Sequence, residues 1–123
     1  MEKLSSGLEY SLEFEHSEKQ LIQKLKDNPE SDSTKEAFIK WCEEQENQVN
    51  EADDPDRTAA IKFNIKRGRI FFQAELYEEA FENFDDARQQ AYQQNQSQLL
   101  AEIESEMDQM ESEFSQSANY NQS

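Results

Sequence analysis

Asn64-Ile65-Lys66-Arg67-Gly68-Arg69-Ile70-Phe71, followed by Tyr77-Glu78-Glu79-Ala80-Phe81-Glu82-Asn83-Phe84-Asp85-Asp86-Ala87, is the stretch that decides the fold. In and around its first half, Ile61, Ile65, Gly68 and Phe72 recur at helical spacing and make one stripe. Ala60, Asn64, Arg67 and Phe71 make a second stripe, and Phe63, Ile70 and Ala74 lie on a third side. Apolar residues on several sides of one helix mean contact with more than one neighbour. In the second half, Ala80, Phe84, Ala87 and Ala91 stay in register on a helix from Tyr77 to about Tyr92.

Working outward, Asp54-Pro55 reads as a cap followed by proline in the first turn, so this middle helix is expected from there to about Ala74. Before it, Ser31-Asp32-Ser33-Thr34 offers side-chain caps for a helix running to about Glu51. That helix has Phe38, Trp41, Cys42, Gln45, Val49 and Ala52 on one face. Leu4, Leu8, Leu12, Phe14, Leu21, Ile22 and Leu25 predict a first helix from Glu2 to Lys26, which Asp27-Asn28-Pro29 stops. Toward the C-terminus, Asn95 with Gln98 reads as a capping box. Leu99, Leu100, Ile103, Met107, Met110 and Phe114 then make an amphipathic fifth helix. Residues 115–123 are polar and are expected to be a disordered tail behind a single domain over 1–114. The glutamine-rich stretch Gln89 to Gln98 lies between two helical stripes and reads as a polar helix end and loop.

The totals agree with an all-α domain. The chain has 123 residues, only 2 Gly and 2 Pro, and is rich in helix formers, which argues against a β-sandwich or barrel. Its 34% hydrophobic content and net charge of −16 are the composition of a chain that struggles to bury a core. Yet it carries 8 Phe, 4 Tyr and 1 Trp, and their helical spacing predicts a folded core. No apolar run approaches the ~18–20 residues of a membrane span. The start, Met1-Glu2-Lys3-Leu4, lacks the pattern of a secretory signal, and the lone Cys42 makes no internal disulfide. A cytoplasmic protein is the expectation.

The segment from Ile61 to Gln94 resembles the tetratricopeptide repeat through Gly68, Phe71, Tyr77, Ala80, Phe84 and Ala87. Physics accounts for the spacing: Gly68 and Ala80 are small where two helices cross closely, and Phe71, Tyr77 and Phe84 fill the space around the crossing. Ala87 then admits the next helix. Asn64 and Arg67 depart from the repeat, standing where Trp and Leu are usual, and no proline lies between Ala87 and Ser97. A helical hairpin of no repeat family would also place small residues at its crossing. One repeat does not bury its faces unaided. The resemblance therefore implies about five antiparallel helices in a right-handed stack. The first two form a degenerate repeat and the fifth a capping helix.

Charge divides sharply along this chain. Arg57 to Ala74 contains Arg57, Lys62, Lys66, Arg67 and Arg69 and no acidic residue, so the remainder carries −21. After Arg88 there is no Lys or Arg, while Glu102, Glu104, Glu106, Asp108, Glu111 and Glu113 follow. The resemblance implies that Lys62, Ile65, Lys66, Arg69, Phe72 and Gln73 line a groove for an extended, carboxylate-bearing peptide. By the same resemblance, Lys62 and Lys66 are similar to the basic pair that chaperone-binding members place on a terminal carboxylate. Alternatively, these cations neutralise neighbouring acidic helices of the same domain.

Catalytic signatures are missing: the sequence has no Gly-rich phosphate loop, Ser-His-Asp set or paired-Cys zinc spacing, and a non-enzyme without cofactor is expected. Glu13-x-x-His16 copies one element of carboxylate-metal helical bundles, which a homodimer would have to complete. Cys42 reads as a buried structural thiol with no cationic activator, and Met107 and Met110 as core or as an adaptable surface for a partner helix. The sequence thus points first to a small tetratricopeptide-like interaction module, an adaptor, chaperone-like or assembly factor, as monomer or homodimer. An acidic nucleic-acid mimic that binds a basic partner is the alternative, and a carboxylate-metal dimer the second. Direct nucleic-acid binding is disfavoured, because one short helix is basic and the overall field repels phosphate.

Overall fold

Five helices and no strand occur among the residues that the computed structural model describes, 14–51 and 57–122. They are α1 (His16–Asp27), α2 (Asp32–Glu51), α3 (Thr58–Gln73), α4 (Tyr77–Gln93) and α5 (Ser97–Gln122). The expected positions of Leu4, Leu8, Leu12, Ala52 and the Asp54-Pro55 cap lie outside the described residues.

Local chemistry sets the helix ends. Ser31 caps α2, its Oγ accepting from the Thr34 N–H at 3.1 Å. Arg57 adopts φ 60°, a left-handed geometry outside the helical range, and α3 begins at the next residue, Thr58. The end of α3 closes in a Schellman motif: Glu75 N–H donates to Phe72 O and Leu76 N–H to Phe71 O, with Glu75 at φ 65°. The end of α4 repeats it, with Asn95 N–H to Tyr92 O, Gln96 N–H to Ala91 O and Asn95 at φ 58°. Asn95 therefore ends α4 in place of capping α5. The last helix continues through Gln122, so the disordered tail expected from residue 115 is helical backbone instead.

Helix α3 lies between two apolar clusters, as its several stripes require. Toward one side, Ile61 and Ile65 pack with Ala80, Phe84, Ala87 and Ala91 of α4 and with Ile103 and Met110 of α5. Toward the other, Ile70 and Ala74 pack with Phe14, with Leu21 and Leu25 of α1, and with Trp41 of α2. Both methionines of α5 belong to the core: Met110 is buried and Met107 packs against the same cluster. Gly68 marks the α3–α4 crossing. A Cβ there would stand 2.6 and 2.7 Å from Phe84 ring carbons and 3.2 Å from Ala80 O. Aromatic rings bridge the elements: Phe38 to Phe71 at 5.2 Å, Trp41 to Phe63 at 5.7 Å, and Tyr77 to Phe114 at 4.8 Å between centroids. Among the described residues no helix is long and apolar enough to cross a membrane.

Candidate functional site

Lys62, Ile65, Lys66 and Arg69 meet in one cleft of about 330 Å³, closed by Phe14 on one side and by Leu99 and Glu102 of α5 on the other. Four of the six groove residues expected from the sequence are thus brought together. Phe72 is not among the lining residues: its ring packs on Tyr77 at 5.2 Å, joining the aromatic group at the α3–α4 corner. Gln73, the last residue of α3, does not line the cleft either.

Two of the cleft's cations are already engaged by the chain's own carboxylates. Lys66 Nζ lies 3.0 Å from Glu18 Oε2, and that glutamate is only 1% exposed. Trp41 Nε1 donates to the same oxygen at 2.8 Å, and Glu15 N–H donates to Oε1 at 3.0 Å. Burial pushes the Glu18 carboxyl up, but the Trp41, Glu15 and Lys66 interactions together outweigh it and hold the group below its ordinary value. Arg69 forms a two-pronged pair with Glu106 of α5, Nε to Oε2 at 2.8 Å and Nη2 to Oε1 at 2.9 Å. Lys62 is exposed and makes no ion pair among the described residues. The cations of α3 therefore serve its neighbours first, and the similarity of Lys62 and Lys66 to a paired carboxylate clamp does not extend to Lys66.

The six residues expected to pack around the α3–α4 crossing divide into those at the crossing and those away from it. Gly68, Ala80 and Phe84 form it, and Ala87 is buried beneath Ile103 and Met110 of α5 in the same cluster. Phe71 and Tyr77 face outward from it, onto Phe38 of α2 and Phe114 of α5.

Other chemistry is sparse. His16 meets Gln20 at 3.2 Å, its proposed companion Glu13 lies outside the described residues, and no three His, Cys, Asp or Glu converge among the described residues. Cys42 is half-buried and does have a cation beside it, Arg67, contrary to the expectation. Burial nevertheless pushes its thiol above the ordinary range, against the pull of Arg67 and with a further push from Glu46, so the reactive thiolate is disfavoured.

Sequence reasoning missed the buried glutamate Glu18. Its one signal was position, three residues after Glu15 at a helix start, where a carboxylate satisfies free backbone N–H groups. No family model, no curated protein and no solved structure matches the chain.

Proposed function

We propose that the chain is a small protein-interaction module built as a tetratricopeptide-like stack, serving as an adaptor, chaperone-like or assembly factor. Falling numbers along α3 meet rising numbers along α4: Phe72 with Tyr77, Gly68 with Phe84, Asn64 with Gln90. This supports an antiparallel hairpin of the repeat's kind. In the right-handed stack, α1 and α2 act as the degenerate preceding repeat and α5 as the capping helix.

The observation that carries the reading is the cleft between α3 and α5. Ile65 and Leu99 supply an apolar floor there, while Lys62 supplies a cation that makes no ion pair among the described residues, with Glu102 in the same wall. An extended peptide or partner helix fits with one carboxylate on Lys62 and an apolar side chain on Ile65 and Leu99. The test is capture of partners on immobilised Lys62→Glu protein, with Lys35→Glu on α2 as the control. Loss of the partner with Lys62→Glu alone is expected, and retention would overturn the groove.

A second reading is favoured by the outer face of α5, where Glu104, Asp108 and Glu111 are all exposed. These charges suit a basic partner, attracted over several ångströms and released by salt. Binding that survives roughly 1 M salt, where the screening length is about 3 Å, counts against this reading.

A further inference from the structure

A larger cavity, about 660 Å³, opens on the opposite face of α3, where Ala60, Phe63, Asn64 and Arg67 meet α2 and α4. Arg67 sits in its wall under unusual restraint. Its Nη2 donates to Asn64 Oδ1 at 2.7 Å and its Nε donates to Asn83 Oδ1, while the guanidinium carbon lies 4.7 Å from the Phe63 ring centroid. All three partners are neutral. The other half-buried cations among the described residues are each paired with a carboxylate: Lys66 with Glu18, Arg69 with Glu106 and Arg88 with Asp85. Arg67 has no carboxylate partner among the described residues, in a chain with 28 acids to choose from. The neighbouring Cys42 thiol is pushed up by burial and brings no charge.

A guanidinium fixed in place by amides and a ring, with no carboxylate in ion-pair contact among the described residues, is preorganised for an incoming carboxylate. The rest of the wall defines the class of ligand. Asn50, Gln89 and Gln90 carry primary amides; Gln89 Nε2 donates to Asp85 and Gln90 Oε1 accepts from Asn64, and the opposite ends of these two amides keep an acceptor and a donor of the kind a peptide backbone requires. Glu46 and Asp86 stand at the same cavity as Arg57 and Arg67, so a ligand that carries a positive charge beside its carboxylate meets groups of both signs. We propose that this cavity is a binding site for a partner peptide, which it holds by one carboxylate on Arg67 with a basic residue facing Glu46 and Asp86. The site is independent of the α3–α5 cleft.

The test uses isotope-labelled full-length chain and end-blocked Ala-Lys-Glu-Lys-Ala, with the Gln-for-Glu peptide as control. A third peptide, Ala-Lys-Ala-Lys-Leu with a free C-terminus, separates a chain-end carboxylate from an acidic side chain. The expected result is a shift of the Arg67 side-chain N–H signal by one of the carboxylate peptides, with at least tenfold weaker binding of the Gln peptide. Arg67→Lys keeps the charge, loses the fork, and should weaken binding at least tenfold. Asn50→Asp, a change on the exposed end of α2, should weaken it about threefold, and Lys62→Glu should leave it unchanged. Equal binding of the Gln peptide, or shifts confined to the acidic face of α5, would overturn the site. So would non-additive destabilisation of the free chain by Arg67→Lys and Asp→Asn changes at Asp53, Asp54 and Asp56, since those aspartates would then be the arginine's partners.

Discussion

The Glu18 carboxylate of α1 and the Lys66 ammonium of α3 stand 3.0 Å apart, with the glutamate buried and the lysine a third exposed. The asymmetry decides what each substitution does. Glu18→Gln keeps the shape and frees Lys66 to turn to water, so it should cost about 1–3 kcal/mol. Lys66→Met leaves a carboxylate buried with only Trp41 and Glu15 N–H to hold it, and should cost about 3–5 kcal/mol. Urea unfolding followed by the emission of Trp41 measures both. An order reversed from this one would mean that the lysine, not the glutamate, carries the desolvation cost.

Acid should weaken the same contact. The folded Glu18 carboxyl titrates below its ordinary value of 4.5, so the unfolded chain takes up the proton first as pH falls. Its stabilisation is complete above about pH 5, declines below pH 4.5 and is gone once the folded group protonates. The stability gap between the natural chain and Glu18→Gln should therefore be flat near neutrality and close in acid. A gap unchanged down to pH 3 would count against the pairing.

Gly68→Ala sets helix propensity against packing. Alanine is better in a helix interior by about 1 kcal/mol. The added methyl, however, would sit 2.6 Å from the ring of Phe84, a residue with no exposed surface. Overpacking of this kind costs about 1–3 kcal/mol. Net destabilisation is expected, and Gly68→Ala with Phe84→Leu should lose less than the two single changes combined. Stabilisation by Gly68→Ala would show that the α3–α4 crossing is looser than described.

Glu75 and Asn95 occupy equivalent left-handed positions after α3 and α4. Glycine adopts that geometry without the Cβ cost of about 1–2 kcal/mol. Glu75→Gly also loses the Lys26 ion pair, 3.2 Å long but roughly half exposed on both sides and so worth about 0–1 kcal/mol. A net gain of about 0.5–1 kcal/mol is expected for Glu75→Gly, and less for Asn95→Gly, because asparagine tolerates the geometry better. Thermal unfolding of the two single variants checks the order.

How much could be read from the residues beforehand follows from how local each signal was. Helix α3 was legible as two-sided, since Ile61 and Ile65 fall on one stripe and Phe63 and Ile70 on another, and separate clusters take them. The Gly68–Ala80–Phe84 crossing was legible because small and large residues must alternate where helices touch. Glu18 was not: one acid among 28 carries no periodic mark, and its burial depends on Trp41 and Lys66 from two other helices. Asn95 misled because asparagine suits both a helix start and a left-handed helix end. The sharing of the α3 cations was open from sequence, as charge counts do not say which carboxylate reaches which lysine.

Arg69 and Glu106 show what that sharing does to functional tests. The fork ties α3 to α5, with the Glu106 side chain only 12% exposed. Arg69→Glu would place a second carboxylate against it, and should cost about 2–5 kcal/mol, with loss of the α3–α5 contact. Loss of a partner by that variant would therefore report unfolding as readily as a damaged groove. A double-mutant cycle with Arg69→Gln and Glu106→Gln isolates the pair, and about 1–3 kcal/mol of coupling is expected for contacting residues. Coupling near zero would mean that apolar packing of Ile103, Met110 and their neighbours holds α5 without help from this pair.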